Sequence, residues 1–215
     1  MDDSKDFIAS QREEHMGQQY GAPLAHYQDE FASADPTALS ARSGVPYDDA
    51  TAQFSLRLLG RATRVSWPTL DVIDVETESA QSTKVRILLA CLLLHGKLVP
   101  SAGKFKAYNE IPWGDHYYKA FEGRCIKRLA GQFGYNLAAF DAKCSRLGMT
   151  QLKGADSCWE VEIVDGVYMR LALWEADDEF PTSAQITFSD NAELAFSAEE
   201  LAVVGDVVMS ALSKA

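Results

Sequence analysis

Between Ser82 and Gly96 the chain carries a helix with almost no polar face. Val85, Ile87, Leu88, Leu89, Cys91, Leu92, Leu93 and Leu94 fall on nearly every side of a 3.6-residue repeat. Such a helix is stable only when other elements surround it, so the rest of the chain must supply a layer on each side. Its apolar run, Ile87 to Leu94, is far too short to span a bilayer. Ser82-Thr83 opens it and Gly96 stops it. His95, in the last turn, favours the helix dipole when protonated.

The segments on either side have a different rhythm. Gln53 to Leu59, Ala62 to Trp67 and Leu70 to Val75 alternate with a period of two and read as three short strands, with a turn at Gly60-Arg61 and a break at Pro68. Tight connections make this an antiparallel meander. Ser157 to Val164 and Val167 to Trp174 form a second hairpin around Asp165-Gly166, and Ala184 to Phe188 is a further strand. Helices are predicted from Asp35-Pro36 to Gly44, from Asp115 to Phe133 (stripe Tyr117, Phe121, Cys125 or Arg124, Leu129), from Asn136 to Leu147, and after the capping box Ser197-Ala198-Glu199-Glu200. Strand runs segregated from helix runs give an α+β fold: an antiparallel sheet in two strand blocks packed with five to six α-helices. Residues 1–33 read as an N-terminal helical arm, with Tyr20, Leu24, Tyr27 and Phe31 on one face, and 34–215 as one domain.

A formal net charge of -11 argues against nucleic acid or an anionic membrane as the main partner. The charge is unevenly spread. Nine Lys/Arg face three acids between Lys84 and Arg128, whereas twelve Asp/Glu stand with Arg170 alone between Ala155 and Glu200. The acidic first ten residues are not a signal peptide, which leads to the expectation of a soluble, cytoplasmic protein. Cys91, Cys125, Cys144 and Cys158 are scattered without a CxxC pair, so no local metal site is predicted and the thiols are expected reduced.

Two loops combine aromatic rings with carboxylates. One contains Tyr108, Glu110 and Trp113 and leads into His116 and Tyr118. The other follows a strand: Trp174, then Asp177, Asp178, Glu179 and Phe180 before Pro181. Four carboxylates within five residues, Glu175 to Glu179, need solvent, a cation or hydrogen-bond donors. One reading makes the loops two walls of a single ligand pocket. A second uses Glu110 with Asp178 or Glu179 as acid and base, or as oxygen ligands of a divalent metal. A third is structural: the acids cap backbone N–H groups or pair with Arg124, Lys127 or Arg128. No GxSxG elbow, GxGxxG or Walker loop occurs.

The segment Asp35-Pro36 to Gly44, Val65-Ser66-Trp67-Pro68, Leu92-Leu93-Leu94-His95, Glu110-Ile111-Pro112-Trp113-Gly114 with Tyr118 and Phe121, and Trp174 through Asp177-Asp178-Glu179-Phe180-Pro181 occur in an order that resembles the family of domains of unknown function numbered 3786, over roughly residues 34–213. The resemblance implies a protein of anaerobic bacteria or archaea. Some members carry an added iron–sulfur domain similar to that of corrinoid iron–sulfur proteins, and this chain lacks the cysteine cluster for one. The resemblance brings no established activity, catalytic residues or cofactor. The expectation is a ligand-binding or accessory module in anaerobic metabolism, with a corrinoid or one-carbon link by resemblance alone. Its partners would be a small molecule or another protein, with neither nucleic acid nor membrane.

Overall fold

The computed structural model describes residues 22–177 and 179–215. Among these, ten strands form one antiparallel sheet: β1 (Tyr47–Asp48), β2 (Gln53–Leu58), β3 (Arg61–Ser66), β4 (Asp71–Asp74), β5 (Ser79–Ala80), β6 (Phe105–Ala107), β7 (Thr150–Gln151), β8 (Ser157–Val164), β9 (Val167–Trp174) and β10 (Ser183–Ser189). Their order is β5-β4-β3-β2-β8-β9-β10-β6, with β1 beside β2 and β7 beside β8. The two expected strand blocks are therefore halves of one sheet. They meet at a narrow seam, where Leu58 pairs with Val164 and the Leu59 N–H donates to the Ile163 carbonyl at 3.0 Å. Arg57 reinforces it with ion pairs to Glu162 at 2.8 Å and Asp165 at 3.0 Å. The turn before β3 lies one residue earlier than the sequence suggests: Leu59 and Gly60 both have positive φ, the requirement of a two-residue hairpin turn, and Arg61 is already in the strand.

Alternation sorts each strand. Val161, Ile163, Met169, Leu171, Leu173, Ile186 and Phe188 point into the core, while the other face carries polar ladders. There Glu160 bonds Arg170 at 2.8 Å, and the Arg170 guanidinium lies 3.5 Å above the Phe105 ring.

The helices are α1 (residues 22–33), α2 (Pro36–Ser43), α3 (Thr83–His95), α4 (Gly114–Phe121), a π-helical turn (Glu122–Ile126), α5 (Lys127–Phe133), α6 (Leu137–Arg146), α7 (Ala192–Ala195) and α8 (Ala198–Lys214). The all-apolar α3 is enclosed as its pattern demands: Leu89, Leu92 and Leu93 are fully buried, with α2, β4 and α8 around it. Asp35 caps α2 through the Thr37 N–H at 2.8 Å, and Gly44 closes it with φ of 77°. Gly96 ends α3 for a different reason from a left-handed turn. A Cβ there would stand 2.3 Å from the Ala195 carbonyl oxygen, so the glycine permits the approach of α7. The described part of the expected N-terminal arm is docked: Phe31 is fully buried against Phe54, and its carbonyl accepts the Trp67 indole N–H. Among the described residues no helix is long and apolar enough to cross a membrane.

Candidate functional site

The segments of 8, 5 and 7 residues that make α4, the π-turn and α5 run end to end. At about 1.5 Å per residue this rod is roughly 30 Å long. Trp113 precedes its start. Gly134 follows its end, so close to Thr182 that a Cβ on Gly134 would overlap the Thr182 hydroxyl. The Thr182 hydroxyl in turn donates to the Trp174 carbonyl at 2.9 Å. The two loops singled out in the sequence thus sit at opposite ends of one helical rod, and the structure does not bring them into one pocket. The carboxylates of the acid–base reading, Glu110 and Glu179, belong to these two different loops, and its Asp178 lies outside the described residues. The physical reason for the separation is topological. β6 pairs with the Ser189 end of β10, whereas Trp174 pairs with Ser183 at the other end.

Three of the predicted residues have local work. Tyr108 is 1% exposed, stacks on Phe121 at 4.0 Å, and donates its hydroxyl to the Ala198 carbonyl at 2.6 Å. The Glu110 carboxylate accepts the Ala107 N–H at 2.6 Å. Asp177 accepts the N–H groups of Glu179 and Phe180 at 2.9 and 2.7 Å, bonds that hold its carboxyl below the usual range. This is the capping use expected in the structural reading. The paired cations of that reading are engaged elsewhere: Lys127 bonds Glu122, and Arg128 bonds Asp206 and Ser213. Glu179, Phe180 and His116 are exposed, Tyr118 is half-buried, Trp174 is 38% exposed, and Asp178 lies outside the described residues.

The concave site lies elsewhere, where four helices converge. Pro23 and Tyr27 of α1, Lys84, Ile87, Leu88 and Cys91 of α3, Tyr117 and Arg124 of the rod, and Ser197, Glu199, Glu200 and Val203 of α8 enclose a cleft of about 410 Å3. A groove of about 330 Å3 continues from it along Ile111, Pro112, Trp113, Glu193, Phe196 and Ala198, sharing Tyr117, Ser197 and Glu199. The volumes suit a small molecule or a few side chains. The cleft's wall is braced by a three-helix bridge: Asp206 of α8 bonds Lys84 of α3 at 2.5 Å and Arg128 of α5 at 3.3 Å.

Its floor holds proton donors. The Cys91 thiol beside the Tyr27 hydroxyl is the chief cause that raises the Tyr27 pKa. Burial chiefly pushes Cys91 up to about 12, and Glu200 beside it adds to the shift. Burial likewise pushes Cys125 up to about 12 and raises Cys144 and Cys158. All four thiols are protonated at neutral pH and none is activated for attack. At the rim Arg124 is exposed, with its guanidinium on the Ala120 carbonyl of its own helix at 3.4 Å. Glu199 and Glu200 also line the cleft, the latter accepting the Ser197 N–H at 2.7 Å. Among the described residues no three His, Cys, Asp or Glu cluster to hold a metal ion.

The sequence signals for this cleft were present but separate. Tyr27 is legible as the apolar face of α1, Cys91 as a buried thiol of α3 and Ser197-Glu200 as a cap, yet nothing in the sequence joins them. A family model described as Domain of unknown function (DUF3786) matches residues 35–211, and the chain belongs to that family. No curated protein and no solved structure matches the chain.

Proposed function

We propose that this member of a family without an assigned activity is a ligand-binding accessory module whose site is the four-helix cleft. The observation that supports the reading is the cleft's composition. Aromatic and aliphatic groups line it together with Tyr27 and the buried Cys91, and charges of both signs, Arg124 and the pair Glu199 and Glu200, belong to the same lining. That arrangement favours a small zwitterion: an anionic group toward Arg124, a cationic one toward the glutamates, and a short apolar body against Leu88 and Val203. Protonated, buried thiols and locally committed carboxylates favour binding over bond-making. A role in anaerobic metabolism, with a corrinoid or one-carbon link, belongs to this proposal through the family resemblance alone.

Ligand-observed NMR with the twenty free amino acids as probes tests it, alongside mass spectrometry of molecules, metals and corrinoids that copurify under anoxic conditions. Saturable binding of one or more amino acids is expected, weakened about tenfold, near 1.4 kcal/mol, by Arg124→Ala and unaffected by Trp174→Ala. Absence of binding at millimolar concentrations, or the reverse pattern of the two variants, defeats the reading.

A further inference from the structure

Trp113 combines three unusual properties. It is 82% exposed, the most open of the large hydrophobic side chains among the described residues. Its backbone is left-handed, with φ of 67° and ψ of 3°, a conformation that is unfavourable for a non-glycine residue. Its mounting is rigid. Before it, the Glu110 carboxylate clamps the Ala107 N–H at 2.6 Å, and the Ile111 N–H reaches the Tyr108 carbonyl. After it, the Gly114 N–H bonds the Ile111 carbonyl at 2.8 Å, and Gly114 sits so tightly on Tyr108 that a Cβ would overlap the Tyr108 carbonyl oxygen. The fold therefore holds an indole in water on a stiff turn, without burying it in return. Pre-set aromatic anchors of this kind lower the ordering cost of association.

The groove beside the ring has an apolar floor of Ile111, Phe196 and Ala198, all buried, and walls of Pro112 and Tyr117. Its lining includes two charged residues, Glu193 and Glu199, and no Lys or Arg. Glu193 is met from outside by Lys106 at 2.8 Å. Glu199 receives the Tyr117 hydroxyl at 3.3 Å, and its charge is the chief cause of the raised Tyr117 pKa. Asp115 and His116 are exposed on the adjoining first turn of α4. The groove is thus apolar below, negative at the rim and edged by an indole face.

We infer that the Trp113 groove is a docking surface for a segment of a partner protein that presents a lysine or arginine side chain next to an aliphatic one. The aliphatic side chain fills the floor between Ile111 and Phe196, for which about 330 Å3 is room enough. The cation stacks on the indole face and meets Glu199. The chain's net charge of -11 steers a basic segment toward it and an acidic one away. The surface adjoins the small-ligand cleft and shares Tyr117, Ser197 and Glu199 with it, but Trp113, Pro112 and Phe196 line the groove alone, and Tyr27, Cys91 and Arg124 the cleft alone.

The chain labelled with 5-fluorotryptophan gives fluorine NMR signals for its four tryptophans, and Trp113→Phe identifies one of them. The probe is acetylated, amidated Arg-Leu-Arg, with Glu-Leu-Glu as its charge-reversed control. Arg-Leu-Arg is expected to shift the Trp113 signal saturably and leave Trp174 in place. Its affinity should fall at least threefold in Glu199→Gln and at least threefold between about 50 and about 300 mM salt. Glu-Leu-Glu should leave the Trp113 signal unmoved. No saturable shift with Arg-Leu-Arg, or an equal shift with Glu-Leu-Glu, overturns the inference. Either result leaves amino-acid binding at Arg124 untouched, so the two readings fail separately.

Discussion

Asp74 is a carboxylate that folding has almost removed from water, at 4% exposure. It survives ionised because Arg61 grips both its oxygens and the Glu76 and Thr77 N–H groups add to the Oδ1 atom at 3.0 Å. The Arg61 bond is the largest cause of a pKa lowered to about 2. Because the folded pKa lies below the unfolded one, the stabilisation is complete above about pH 4 and is lost as pH falls from about 4 to about 2. Asp74→Asn should therefore cost about 2 kcal/mol in urea unfolding at pH 7, with the gap to the parent chain nearly closed at pH 2. A gap that stays constant with pH would assign the stabilisation to the backbone bonds instead. Residue roles of this kind were unevenly legible. The caps Asp35 and Ser197 follow from residue type and spacing alone. The clamp by Glu110 and the left-handed Trp113 do not, because both depend on how Tyr108 is packed, two and five residues away.

The rod of α4, π-turn and α5 shows what element-scale reading captures and what it misses. The stripe Tyr117, Phe121, Cys125, Leu129 steps by four, while a helix turns every 3.6 residues. Three such steps overshoot by about one residue, which is the excess that a π-turn absorbs. The helix was legible as a whole, and the drift of its stripe was the trace of the irregularity inside it. The π-turn brings Cys125 against α8, where Gly205 leaves no room: a Cβ there would lie 2.7 Å from the Cys125 sulfur and 3.0 Å from the Phe121 ring. Gly205→Ala is expected to destabilise the fold by about 1–3 kcal/mol through overpacking. Adding Cys125→Ala should recover part of that loss, so that the double variant is more stable than the sum of the single effects predicts. Thermal or urea unfolding of the four chains measures it, and strict additivity would place the strain elsewhere.

For the whole molecule, the α+β class and both strand blocks followed from periodicity, whereas the partnership between the blocks did not. One residue pair and the Arg57 ion pairs carry the seam from β2 to β8, and no local pattern announces contacts between residues 105 and more positions apart. The separation of the two aromatic loops was hidden for the same reason, being set by which end of β10 each strand meets. A seam so narrow divides the sheet energetically. Native-state hydrogen exchange should find the amides of β2–β4 opening together at lower free energy than those of β8–β10. Arg57→Ala should lower the first group alone, and convergence of the two groups onto one free energy would refute the division.

The enclosed helix α3 has a consequence for the order in which the protein is made. A ribosome finishes α3 at His95, yet α8, which packs against it, starts at Ala198. For more than a hundred residues of synthesis the leucine-rich helix is without one of the elements that shield it. Until α8 emerges, the growing chain carries an uncovered apolar surface, the kind that chaperones and neighbouring nascent chains compete to cover.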